Sequence, residues 1–156
     1  MTLAETFALV SFSIFSYADL RYRLVPGIEV FLFGTILLTF PATPIQTGIV
    51  LLACLWSIFR NLSGWFAIPL LFYPPVWPVL FTGYGYRKGI IGRADLLAIS
   101  GLACLFPLPA VLLSLLGLEL WRRLWIRRQQ GNIPALPGLL LGLIVYLLLR
   151  LSLPTP

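Results

Sequence analysis

The chain carries 5 acidic side chains, a single lysine (Lys88) and no histidine. Without histidine, Ser-His-Asp and Cys-His catalysis, His-ligated zinc and haem are excluded. Cys54 and Cys104 lie in the middle of apolar runs, far from any paired spacing. They read as small buried hydrophobes, not as a disulfide or a metal site. A Ser/Lys dyad has Lys88 as its one candidate. Acid–base chemistry in this chain therefore rests first on carboxylates.

Three of the carboxylates have plain structural roles open to them. Glu5 and Glu119 lie near the ends of apolar runs, where each can reach water or an arginine, and Glu119 and Arg123 are i,i+4 partners on a helix. Glu29 follows Pro26 by three residues, in the first turn of a helix that the proline initiates, where a carboxylate meets the positive end of the helix dipole. A supporting role near a site is the other possibility for it. Asp19 and Asp95 remain. Asp19 closes one apolar run, and Asp95 opens another just after Gly92-Arg93-Ala94, where the small residues let a neighbouring backbone or a peptide come close. Two carboxylates brought to one place share a proton: one holds a water as general base while the other, protonated, polarises a scissile carbonyl. On the residues alone, an ordinary salt bridge from Arg21 or Arg23 to Asp19 competes with such a dyad.

The elements that must position these acids are apolar helices. Of 156 residues 60% are hydrophobic and only 10% charged, and the mean hydropathy is +0.98. A soluble domain holds roughly 45–50% apolar and about 25% charged residues, so the polar surface here is too small to cover a water-soluble globule. The composition predicts an all-α integral membrane protein, a polytopic helix bundle forming a single domain over residues 1–156. Candidate spans are Thr2–Leu20, Gly27–Phe40, Pro44–Phe59, Ala94–Phe106, Leu108–Ile126 and Ile133–Leu151. No cleavage site follows the first, so it is read as a retained span and not as a removable signal peptide. Gly27–Phe40 and Ala94–Phe106 are short, so either they continue through Pro41 and Pro107 or the bilayer is locally thin.

The stretch from Gly64 to Thr82 decides the topology, since Pro69, Pro74, Pro75 and Pro78 each disfavour a helix interior by about 3 kcal/mol. If it is re-entrant or interfacial there are about six spans. Arg21, Arg23, Arg60, Arg87, Lys88, Arg93, Arg122, Arg123, Arg127 and Arg128 then share one side, leaving Arg150 on the other. A seventh span would divide the basic residues far more evenly. The positive-inside rule favours the first arrangement, with both termini outside the cytoplasm and both Asp19 and Asp95 at the cytoplasmic face. The basic segment Trp121–Arg128 lies between two apolar spans and reads as an anchor to anionic headgroups with interfacial tryptophans. No nucleic-acid partner is expected.

Three segments carry a family resemblance. Tyr17-Ala-Asp-Leu-Arg-Tyr-Arg-Leu-Val-Pro26 resembles the Asp-x-Arg-x-x-x-(Ile/Val)-Pro motif that follows the first span of type IV prepilin peptidases. Gly92-Arg-Ala-Asp-Leu-Leu-Ala98 resembles their Gly-x-Gly-Asp motif, in the Gly-x-Ala-Asp form of archaeal preflagellin peptidases. Asn132-Ile-Pro-Ala-Leu-Pro-Gly-Leu-Leu-Leu-Gly142 is similar to the Pro-rich segment that opens the family's final span. The order matches, and the resemblance runs from Ala4 to Leu151. It implies a GxGD-type intramembrane aspartyl peptidase in the cell membrane. Asp19 and Asp95 would be the catalytic pair, without metal or cofactor. Its partners would be membrane-anchored precursors with a basic leader and an apolar helix, cut at the cytoplasmic face. The same resemblance implies that Gly92 and Ala94 shape the backbone around Asp95, that Arg23 belongs to the site's surroundings, and that the Pro134–Pro137 turn packs near the dyad.

The chain also departs from the pattern. Ala94 stands where bacterial members carry Gly, and Gly27 where Asn often follows the proline. The Cys-rich cytoplasmic segment of the methylating bacterial enzymes has no counterpart, so cleavage without methyl transfer is expected. Pro134-Ala135-Leu136 also spells a motif of presenilins and signal peptide peptidases, but Asp19 at the end of the first span and the small size of the chain fit those poorly. Outside the proteases, the same aspartates could relay protons or a cation in a small transporter.

Overall fold

The computed structural model describes residues 2–23, 25, 27–59, 61–126 and 134–152. It is all-helical, with no strand among the described residues. Helix α1, Leu3–Tyr22, opens on a capping box in which the Glu5 N–H donates to Thr2 Oγ1 at 3.2 Å and the Thr2 N–H donates to Glu5 Oε2 at 2.8 Å. It closes on Arg23 in the left-handed region at φ 56°, whose N–H donates to the Asp19 carbonyl. Helix α2, Ile28–Thr39, starts from Gly27, and α3, Pro44–Ile58, has its proline in the first turn. Then follow three 3₁₀ turns (Gly64–Ala67, Pro69–Phe72 and Pro74–Val76) and helices α4, Trp77–Arg87, α5, Arg93–Leu105, α6, Leu108–Ile126, and α7, Leu136–Ser152.

The two short candidate spans stay short. Helix α2 stops at Thr39 and α5 at Leu105, so neither continues through the proline that follows. At 12 and 13 residues they reach about 18–20 Å. Among the described residues α1 alone is long and apolar enough to cross a membrane unaided, while α2, α3 and α7 are shorter apolar helices. The proline-rich stretch takes the form its sequence allows: Pro69, Pro74 and Pro78 each sit in the first turn of an element, where the missing N–H has no helical partner to lose. It also doubles back. The Arg87 guanidinium donates to the Leu62 carbonyl at 2.7 Å, and Gly83 lies against Ser57, so the segment leaves α3 and returns through α4 at the same end of the bundle.

Helix α5 is the axis of the packing. Every residue from Leu96 to Cys104 is buried, with α2, α3 and α4 packed around it and α1 and α6 touching it more lightly. Phe31 of α2 fills the notch that Gly101 leaves in α5, and Phe7, Phe12 and Phe15 of α1 surround the same ring at centroid distances of 5.7, 5.2 and 6.0 Å. Helices α6 and α7 form the most extensive pair and meet backbone to backbone: a Cβ on Gly117 would stand 2.5 Å from the Gly138 carbonyl oxygen, and one on Gly142 would run into the Leu113 carbonyl. The outward faces are apolar, with Val10, Ile14, Val30, Phe33, Leu52, Leu116 and Leu148 exposed, whereas Thr35, Thr47, Ser57, Ser100 and Ser114 are buried. Most of these inward hydroxyls donate to the carbonyl four residues back, as in Thr35 to Phe31 at 2.8 Å and Ser100 to Leu96 at 2.8 Å.

The contact between α6 and α7 makes a prediction. Gly142→Ala should lower stability by about 1–3 kcal/mol, because a methyl there meets backbone and not a movable side chain. Gly48→Ala in α3, where nothing lies within 4 Å, should be neutral or gain up to about 1 kcal/mol from helix propensity. Loss of helical circular dichroism with temperature in detergent reads both.

Candidate active site

One end of the bundle gathers the C-termini of α1, α3, α4 and α6 and the N-termini of α2, α5 and α7. Four contacts link the elements across this end: Asp19 to Leu136, Glu29 to Arg93, Leu62 to Arg87, and Arg23 to Trp125. The described residues Arg21, Arg23, Arg87, Lys88, Arg93, Arg122 and Arg123 all belong to it, and Arg150 belongs to the other, where its guanidinium pairs with Glu5. Arg60, Arg127 and Arg128 lie outside the described residues, as do Pro26, Asn132 and Ile133 of the motif segments.

Asp19 sits in the last turn of α1, half-buried. Its Oδ2 accepts the Leu136 N–H at 3.2 Å, and the Ala135 N–H also faces the carboxylate. These are unpaired donors at the start of α7, the end of a helix that favours an anion. The Pro134–Pro137 turn is thus the lid on Asp19: Pro134 is buried, Pro137 half-buried, and the amides between them point at the acid. Asp95 occupies the third position of α5, also half-buried, and the Gly92 N–H faces its carboxylate. That is the reach-back half of a capping box, with glycine at the N-cap supplying no side chain of its own. The charge of Asp19 acts directly on Asp95, so the two acids, remote in the chain, are within electrostatic reach of each other.

The salt bridge that competes with a dyad does not form. Among the described residues no ion pair involves Asp19 or Asp95. Arg21 donates to Tyr17 Oη at 2.7 Å, and the Arg23 guanidinium lies 5.0 Å over the Trp125 ring, near enough for its charge to act on Asp19. Arg23 is therefore held beside the acid by its left-handed backbone and by the indole under it. Gly92 is exposed and Ala94 half-buried. A Cβ on Gly92 would meet nothing nearer than Asp95 Oδ2 at 3.4 Å, so the fold itself does not require glycine there. Glu29 begins α2 and pairs with Arg93 at 3.2 Å, which ties α2 to the start of α5 beside Asp95.

Sequence reasoning missed the tryptophans. Trp121 and Trp125 stack at 5.8 Å with their indole nitrogens buried and not set out at a polar boundary, and Trp121 lies against Gly138. Their i,i+4 spacing was the available signal. Among the described residues no group of three or more His, Cys, Asp or Glu side chains could hold a metal ion. No protein-family model, curated protein or solved structure matches this chain.

The open surroundings of Gly92 make a prediction. Gly92→Ala should cost at most about 1 kcal/mol, the difference in N-cap preference, and leave the thermal midpoint in detergent close to that of the parent.

Proposed function

We propose that this chain is a polytopic membrane aspartyl endopeptidase of the prepilin and preflagellin peptidase type, with Asp19 and Asp95 as its catalytic pair. The observation that carries this reading is that the last turn of α1 and the first turn of α5 set both acids at the basic end of the bundle, within reach of each other's charge, with no arginine bonded to either among the described residues. In such a pair one carboxylate holds a water and takes its proton as the oxygen attacks the peptide carbonyl. The other, protonated, donates to that carbonyl oxygen as it becomes tetrahedral. Collapse of the intermediate returns a proton to the leaving amine.

The membrane setting is part of the proposal. The apolar outward faces, the inward hydroxyls bonded to their own helices and the crowding of basic side chains at one end all favour a bundle in lipid with its basic end toward the cytoplasm. The short α2 and α5 then cross a locally thinned bilayer, and the 3₁₀ turns with α4 form a re-entrant hairpin. The substrates would be precursors with a short basic leader ahead of an apolar helix, which can arrive sideways through lipid and present the scissile bond at the membrane rim. Cleavage without methyl transfer is the activity expected.

Co-expression with such precursors tests this. Asp19→Asn and Asp95→Asn should each lower cleavage by at least about a thousandfold, while membrane insertion of the protein is unchanged. Normal processing by either variant would rule out the dyad, and substrate-coupled proton flux without cleavage would point to a transporter instead.

A further inference from the structure

The outer face of the α6–α7 hairpin carries a groove of about 180 Å³, lined by Leu113, Leu116, Gly117, Leu120, Leu141 and Val145 with Gly142 at its floor. Its origin is the backbone contact between the two helices. With no side chains between them at Gly117 and Gly142, the leucines on either side rise as two ridges and leave an apolar trough. The trough runs along α6 from Leu113 to Leu120, about 10 Å, and stops where the helix turns basic. Arg123 follows Leu120 by three residues and Leu116 by seven, so it stands two turns below Leu116 on nearly the same line of the helix surface.

The charge at this mouth is not balanced. Glu119 is held bidentately by Arg122, at 2.8 and 3.0 Å, and also accepts the Arg123 Nε at 2.9 Å. Two guanidiniums therefore share one carboxylate. Arg123, whose side chain is 73% exposed, turns only its Nε to Glu119 in this network. An apolar trough that ends beside a surplus cation suits a molecule with an apolar chain and an anionic head.

We propose that this face binds an anionic phospholipid, with one acyl chain in the trough between Leu116 and Val145 and its phosphate on Arg123. The proposal rests on the membrane part of the preceding reading and not on its chemistry. It differs from general attraction of anionic lipid to a basic end, because it names one helix pair and requires both the trough and Arg123. The neighbouring Gly138, by its contact with Trp121, links this hairpin to the start of α7 that covers Asp19.

The test uses the full chain in phosphatidylcholine vesicles with spin-labelled phosphatidylglycerol or phosphatidylcholine as probe, comparing the motionally restricted fraction of each. Phosphatidylglycerol should be retained about fivefold more strongly, the factor that one surplus charge near the surface supplies. Arg123→Gln, which leaves Glu119 balanced by Arg122, should abolish that preference, whereas Arg21→Gln with Lys88→Gln should keep it. Leu116→Trp, at a position 65% exposed, should fill the trough and release both probes without loss of helicity. Equal retention of the two lipids, an unchanged preference in the Arg123 variant, unchanged retention in Leu116→Trp, or a Leu116→Cys disulfide to a second copy would each overturn the proposal. Carbonate extraction separates the two levels. A protein stripped from the vesicles removes the membrane reading and this proposal together, while a protein that stays integrated but shows no preference removes this proposal alone.

Discussion

The first and last of the described helices are clamped to one another at both ends by carboxylates, one buried and one half-buried. At one end Asp19 accepts the backbone N–H of Leu136; at the other Glu5, already capping α1, also takes the Arg150 guanidinium. In apolar surroundings a polar group without a partner costs several kcal/mol, so each of these contacts sets the register between α1 and α7. The rest follows from that register. Helix α7 is seated on α6 through glycines, so the placement of Asp19 depends on a contact between two other helices as much as on its own.

The second acid belongs to a different part of the packing. Asp95 starts α5, the most buried helix, and its position is fixed by α2, α3 and α4 around it and by the Glu29–Arg93 pair at its foot. Among the described residues no hydrogen bond joins the two aspartates, and each is instead faced by backbone amides of a helix start: α7 for Asp19, and its own N-cap for Asp95. No described side chain bonds to either, so the acids are oriented by main chain, whose geometry changes little when neighbouring side chains do.

Much of this could be read from residues near one another in the chain. The run of apolar segments, the prolines that start or stop them and the i,i+4 pairing of Glu119 with Arg123 rest on local chemistry, and every helix but α4, which was not expected, begins and ends within a few residues of the expected places. Arg122, three residues from the same glutamate, is the tighter partner and was not foreseen. What the chain alone could not disclose is long-range. Water or an arginine was open to Glu5, and that Arg150 takes it depends on α1 lying against α7. The indole under Arg23 and the ring in the Gly101 notch depend on helices that are far apart in sequence. Motif order placed Asp19, Asp95 and the Pro134–Pro137 turn in one neighbourhood; that the turn serves Asp19 through main-chain amides is a detail no spacing encodes.

Phe31 gives the pairing of α1 with α5 its mechanical character. Its ring is keyed into the Gly101 recess on one side and wedged among three phenylalanines of α1 on the other, so a single aromatic plate couples both helices at mid-length. Sliding or twisting α1 by itself would shear that plate out of its slot. The acids at the helix tips are thus indexed to one another from a distance, like the two jaws of a tool set by its pivot.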